Sequence, residues 1–321
     1  MICRIGFNLS DETRTCSGER TRGPRILQDV KLPLISSRTR YLLFGTALAV
    51  LAGAAYWVAN WRWPAGSQSG TEFRGSAPAI SALPRRFRVA TFNIHSGYGL
   101  DGRFDLERTA DCLKTADFIG LNEVGRGTKQ DPRNQAERLG ELLHVNWLFA
   151  PTELGWSGAQ FGQAALTRVV VSHWQVVPFP RADGNGYRNY VECQIPLGSK
   201  ILDPDRPASL TILFTHLDRK SDRQAQLQTL IRRFLELPPP VILMGDLNSK
   251  RTEPQLKDLI QQPGVTECFG KFAKEPLVSK RIDWIFTRGL KCLDANLEAN
   301  QASDHPWGWA DLELVDLKPV E

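Results

Sequence analysis

A chain of 321 residues with 42% hydrophobic and 23% charged residues can bury a large core, which excludes a disordered or fibrous protein. The formal net charge is +5, but residues 1–84 carry ten Lys or Arg against five Asp or Glu, whereas residues 85–321 carry thirty of each. A nucleic-acid groove ordinarily leaves a basic footprint, so net charge gives no argument for one in the larger region.

In chain order, residues 1–40 are basic and aperiodic and are expected to be a disordered N-terminal region. The segment at 41–60 opens with Tyr41 to Ala59, a stretch without charge that has about the ~20-residue length needed to cross a bilayer as a helix. Arg22, Arg25, Lys31, Arg38 and Arg40 precede it, only Arg62 and Arg74 follow within a similar distance, and Tyr56, Trp57, Trp61 and Trp63 mark an aromatic belt. This asymmetry predicts a single-pass anchor with the amino end in the cytoplasm and the remainder outside. A cleaved signal peptide is the competing reading, since small residues occur at Ala52 to Ala55, but the basic region is long and no clean cleavage site follows. Residues 61–84, rich in Gly, Ser, Ala and Pro, read as a linker, and 85–321 as the folded domain.

Within that domain, short apolar runs end in polar residues: Phe87 to Asn93, Phe118 to Glu123, Ala164 to Val171, Leu210 to His216, Val241 to Asn248 and Ile282 to Thr287. They are predicted to be buried strands. Helical spacing of apolar residues recurs at Leu106 to Thr115, Asn134 to Leu143 and Asp222 to Leu235, so the class is α/β or α+β. No Gly-rich phosphate loop or internal repeat occurs. Cys3, Cys16, Cys112, Cys193, Cys268 and Cys292 form no zinc pattern. Cys112 and Cys193 read as small packed hydrophobes, and a Cys268–Cys292 disulfide has no support beyond coincidence.

The strand ends carry the chemistry: Asn93, Glu123, His216, Asp246 and Asn248, Asp283, and finally Asp304 and His305. Taken singly, an Asn or Asp after a strand is usually a turn residue and a lone His a surface or core side chain. In the GDLN run after Val241–Met244, however, Asp246 and Asn248 are two residues apart and share one face at the strand's carboxyl end. Carboxylate and amide oxygens with few histidines suit magnesium or manganese better than zinc.

The ordered set TFNIHSGYGLDG, LNEV, FGQAALTR, THLD, GDLN, IDWIF and SDHPW resembles the endonuclease/exonuclease/phosphatase superfamily over Arg88 to Leu314. The resemblance implies a four-layer sandwich of two face-to-face β-sheets flanked by helices, and a Mg²⁺- or Mn²⁺-dependent phosphoric ester hydrolase. It implies Asn93, Glu123 and Asp304 at the metal, Asp246 orienting or deprotonating the attacking water, and Asn248 holding that water or a phosphate oxygen. His305, oriented by Asp283, would stabilise the phosphoryl group, and His216 would contact a nonbridging oxygen or assist the leaving group. Gln163 stands where the family more often has Asn, and Asn122 where it more often has Gln. Gln163, Lys250 and Arg251 are candidate substrate contacts, and Lys271, Lys274, Lys280 and Arg281 form either a phosphate grip or a solvated basic loop.

One chemistry serves many phosphoesters, so the substrate is not fixed by these motifs. A membrane-tethered hydrolase acting on lipid head groups or extracellular phosphoesters is the leading expectation, ahead of an extracytoplasmic nuclease acting on DNA or RNA. A non-catalytic binding module fits an intact catalytic set least.

Overall fold

In the computed structural model, which describes residues 36–181, 186–198 and 209–315, the apolar runs become strands buried on both faces, although the one read at Ala164 to Val171 starts earlier and ends at Thr167. The expected disordered region falls largely on residues 1–35, outside the described residues. By contacts the chain divides into two units, 1–53 and 54–321.

Helix α1 (Ser37–Asn60) is exposed from Ser37 to Trp57, with Leu42, Leu43, Phe44, Leu48, Val50 and Leu51 each more than half accessible. An apolar helix with no protein cover is not a core helix. It is long and apolar enough to span a membrane.

The second unit is built from β1 (Arg62–Pro64), β2 (Gln68–Gly70), β3 (Arg86–Asn93), α2 (Leu106–Leu113), β4 (Phe118–Arg126), α3 (Gln135–Leu143), β5 (Asn146–Gly155), β6 (Gln160–Thr167), β7 (His173–Pro178), β8 (Asn189–Pro196) and β9 (Ser209–His216). There follow α4 (Arg223–Glu236), β10 (Val241–Asp246), α5 (Pro254–Ile260), β11 (Val265–Glu267), α6 (Phe269–Phe272), α7 (Leu277–Lys280), β12 (Asp283–Arg288), β13 (Leu290–Glu298) and β14 (Trp307–Leu314). Among the described residues the strands form two seven-stranded sheets, ordered β1-β5-β6-β4-β3-β14-β13 and β11-β12-β10-β9-β8-β7-β2.

Strand alternation assigns each residue to a layer. Phe87 and Val89 of β3, Ile212 and Phe214 of β9, and Ile242 and Met244 of β10 fill the core between the sheets. Their neighbours Ala90 and Phe92 turn outward to meet Leu106, Leu113 and Leu139 of α2 and α3. Leu213 and Leu243 turn outward to meet Leu227, Leu230 and Phe234 of α4. The result is the four-layer sandwich that the resemblance implied. Side-chain caps start two of these helices: Asp105 accepts from Arg108 N at 3.0 Å and Asn134 from Ala136 N at 3.0 Å.

The 61–84 stretch, expected as a linker, is pinned to both sheets. β1 pairs with β5 and β2 with β7, and isolated bridges join Arg74 to Trp147, Ile80 to Val169 and Leu83 to Leu197. Composition registered the turns but not partners about a hundred residues away. Cys193 packs in the inter-sheet core as expected, and Cys112 is half-buried. Cys268 and Cys292 are buried free thiols, and the neighbouring Cys292, with burial, pushes the Cys268 thiol well up.

Candidate active site

Register alone brings three of the expected residues into one row. β10 runs parallel to β9 and antiparallel to β12, so Asp246 lies opposite His216 on one side and Asp283 on the other. Gly245 precedes Asp246 at φ +134°, where a Cβ would collide with the Thr215 carbonyl, so the close approach of β10 to β9 requires glycine there.

The second sheet meets this row from across the sandwich. In it β3 and β4 are parallel and set Asn93 beside Asn122. Asn93 Nδ2 donates to Asp246 Oδ2 and to Glu123 Oε1, both at 3.1 Å. Asn122 accepts from Asp246 N at 3.1 Å and donates to the Thr215 carbonyl at 3.0 Å, tying the two sheets together where their strand ends converge. Beyond Asp246 the chain turns through Asn248 at φ +46°, whose N–H donates to Asp246 Oδ1 at 2.9 Å and whose side chain donates to the Leu217 carbonyl at 2.9 Å. His305 Nδ1 lies 2.8 Å from Asp283 Oδ2, and its Nε2 lies 3.8 Å from Asp246 Oδ2. His216 Nε2 reaches within 3.5 Å of the same Asp246 oxygen.

This geometry splits the protonation states of neighbouring groups. Burial first, and then the Asp283 charge, push the Asp246 carboxyl up to about 7, against the opposing pull of His305 and of the Asn248 and Asn93 hydrogen bonds. Burial would lower His305, but the hydrogen bond to Asp283 and the charges of Asp283, Asp246 and Asp304 raise it to about 9. His216 moves the other way: burial, with Arg188, His305 and Arg219 nearby, holds it well below the ordinary histidine value, so it is neutral. Near neutral pH the site therefore offers a titrating carboxylate between an imidazolium and a neutral imidazole. His216 Nε2 and Asp283 Oδ1 are buried without a hydrogen-bond partner, as expected of groups left for a ligand.

The oxygen ligands expected for a cation lie beside this row. Glu123 adopts φ +57° at a register shift between Leu121 and Val124 of β4, a bulge that turns its carboxylate out of the ladder. Asn93 contacts it directly. Asp304 is half-exposed, with Oδ1 3.3 Å from Ser303 Oγ, and that hydroxyl donates to the Asn93 carbonyl at 2.7 Å. A hard divalent ion fits this carboxylate and amide set. Asp246, Asp283 and His305 also have ligand atoms within 4.8 Å of one another. Within that trio His305 Nδ1 is already engaged by Asp283 Oδ2 at 2.8 Å, which leaves Nε2 facing Asp246.

Not every candidate lies in this cluster. Gln163 is buried, with its amide committed to Asn122 at 3.3 Å and to the Asn189 carbonyl at 2.7 Å, which places it behind the row as a brace. Lys250 and Arg251 are exposed on the turn after Asn248, and Arg251 lies 4.0 Å from Glu267. Arg281 is no phosphate grip: it is buried against Glu267 at 2.6 Å, because an isolated guanidinium in the core requires a carboxylate. Sequence reasoning passed over Ser303, which links Asn93 to the Asp304–His305 loop, and Arg188 and Asn189, which lead into β8 beside His216. The dipeptide sits between a polar loop and a strand, and only the sheet order reveals its neighbours.

A family model described as the Endonuclease/Exonuclease/phosphatase family matches residues 90–305. Among solved structures, the chain is similar to an endonuclease/exonuclease/phosphatase from Beutenbergia cavernae DSM 12333, with TM-score 0.58 and 22% identity over 72% of each chain. It is also similar to a mannosyl-6-phosphatase of Bacteroides thetaiotaomicron VPI-5482, with TM-score 0.54 and 15% identity over 70% of this chain and 99% of that one. Humanized D. rerio TDP2 gives TM-score 0.54 and 17% identity over 72% and 100%. No curated protein matches the sequence.

Proposed function

The chain belongs to the endonuclease/exonuclease/phosphatase family, and on that footing we propose that it is a membrane-anchored, divalent-metal-dependent phosphoester hydrolase in which water attacks phosphorus. The observation that carries this reading is the setting of Asp246: one buried carboxylate within 3.1 Å of the Asn93 amide, 3.5 Å of neutral His216 and 3.8 Å of protonated His305.

In this reading Asp246, ionised above about pH 7, takes the proton of the attacking water. Asn248, held in a left-handed turn by its bond to Asp246, orients that water or a phosphate oxygen. The His305 imidazolium, fixed by Asp283, stabilises negative charge on the phosphoryl oxygens as the transition state forms. His216, neutral, donates a hydrogen bond from Nε2 to a nonbridging oxygen or to the leaving-group oxygen. Glu123, Asn93 and Asp304 would hold Mg²⁺ or Mn²⁺, which when bound neutralises phosphate charge and polarises the ester.

The exposed, apolar α1 supports an anchor, and the basic residues before it support a catalytic domain outside the cytoplasm. The reading is tested by incubating the full chain with Mg²⁺ and a panel of lipid, sugar and aryl phosphoesters and plasmid DNA. Turnover that stops with EDTA is the expected result, and turnover that survives EDTA would contradict the metal. DNA cleavage outpacing every small or lipid ester would instead favour the nuclease. Protease accessibility of the domain in intact cells tests the topology, and protection would reverse it.

A further inference from the structure

Large apolar side chains outside α1 are mostly buried, but three tryptophans stand exposed on one side of the second unit. Trp61 is 42% accessible, Trp63 38% and Trp156 66%. They are neighbours: Trp63 and Trp156 have ring centroids 6.0 Å apart, because β1 pairs with the end of β5 and Trp156 sits on the turn that follows. Trp61 in turn packs against Trp57, the last large aromatic of α1, with ring centroids 4.5 Å apart and planes tilted by 51°.

Chain length ties this patch to the bilayer if α1 spans it. Trp63 is three residues past Asn60, so at ~3.5 Å per residue it lies within about 10 Å of the helix end. Since β1 is locked to β5, Trp156 is held at that same depth, where indole rings partition between lipid and water.

The patch also belongs to the edge that carries the site. The β5–β6 turn follows the register that sets Gln160 opposite Arg126, three residues beyond Glu123 on β4. That is about 10 Å of strand. On the other side, Pro64 to Gly66 share a small cavity with Arg188 and Asn189, which adjoin His216.

We propose that Trp61, Trp63 and Trp156 form a bilayer-docking face that seats the catalytic edge at headgroup level, so that the ester cleaved is a phospholipid head group of the same membrane. This rests on the hydrolase reading above and narrows its substrate class. An adjoining cleft of ≈ 570 Å³ is lined by the cations Arg188, Arg219 and Lys220 and the carboxylates Glu153 and Asp218, a net positive setting for a headgroup phosphate.

The test uses the full chain in vesicles of phosphatidylcholine mixed with phosphatidylglycerol, with or without brominated acyl chains, comparing the parent with Trp156→Ser. The emission lost in the variant reports Trp156 itself. It is expected to be blue-shifted, quenched by the brominated chains and shielded from aqueous iodide. Trp63→Ser/Trp156→Ser should cut hydrolysis of vesicle phospholipid several-fold and leave hydrolysis of water-soluble bis(p-nitrophenyl) phosphate unchanged. Trp156 emission that iodide quenches equally with and without lipid would overturn the docking face. So would shielding that depends on protein concentration and not on lipid, which would assign the face to a second copy. A parent enzyme that hydrolyses the soluble ester but no vesicle lipid would overturn the substrate class. If it hydrolyses neither, the hydrolase reading fails, and the quenching still decides the docking face.

Discussion

Two buried acids in the same sheet, Glu267 and Asp246, have opposite surroundings. Both are pushed up by burial. Glu267 is saturated: it accepts from Phe269 N and Gly270 N at 2.9 Å and from Arg281 at 2.6 Å, and the guanidinium lies 4.1 Å over the Trp284 ring. Asp246 has no arginine, and around it His216 Nε2 and Asp283 Oδ1 stay unsatisfied while Glu123 and Asn248 hold left-handed backbone. The first arrangement stores its charges for folding. The second keeps them available, at a cost in stability that the rest of the core offsets.

The largest expected effect breaks the second arrangement. Asp246→Ala should lose on the order of 10⁴-fold in kcat/KM with the fold retained by circular dichroism; substantial residual turnover would sink its role as base. Because the folded-state pKa of Asp246 is raised from 3.8 to about 7, its burial costs nothing below the unfolded value and the full amount above about 7. Asp246→Asn should therefore melt higher than the parent above pH 7 and lose that advantage in acid.

Glu267→Gln breaks the first arrangement. It should cost ~3 kcal/mol in denaturant melts by leaving Arg281 buried and unpaired, with turnover per folded molecule unchanged. Loss of activity without loss of stability would put Glu267 in the site instead.

A smaller change sharpens the contrast. The parent rate should rise through about pH 7 as Asp246 ionises and fall through about 9 as His305 loses its proton. Asp283→Asn should lower kcat about 100-fold and pull the alkaline limb toward the ordinary histidine range, and an unmoved limb would remove His305 as its origin. In stability terms the raised His305 contributes fully below about 6.5, and that contribution is lost as pH rises through about 9. Smallest of all, Arg251→Ala removes a half-exposed cation 4.0 Å from Glu267 and should shift stability by less than about 0.5 kcal/mol.

The strands whose ends carry the polar row were legible because their apolar runs are unbroken. Leu210 to His216 read directly as β9, Val241 to Asn248 overran β10 by two residues because the chain turns left-handed at Asn248, and the three helices fell within a residue or two of their observed ends. β5 was missed because Pro151 interrupts it, and the structure accommodates that proline at a register shift between Pro151 and Glu153. β8 was missed because Glu192 and Gln194 look like a solvated face. Glu192 is in fact buried against Arg233 of α4 at 3.0 Å, a partner 41 residues away. Of the site, side-chain identities were readable, but not the cross-sheet bonds through Asn93 and Asn122 or the opposed charge states of His216 and His305. Both depend on which strands lie side by side.

The pinned 62–70 segment bears on how this protein can be cut. β1 covers the outer edge of β5 and β2 the outer edge of β7, so one short strap closes a margin of each sheet. A soluble fragment beginning at Pro84, the compositional boundary, would strip both covers. It would leave two unpaired strand edges of the kind that recruit neighbouring chains into aggregates. Starting at Trp61 keeps the margins closed, so the boundary suited to expression lies at the end of α1 and not at the start of the catalytic motifs.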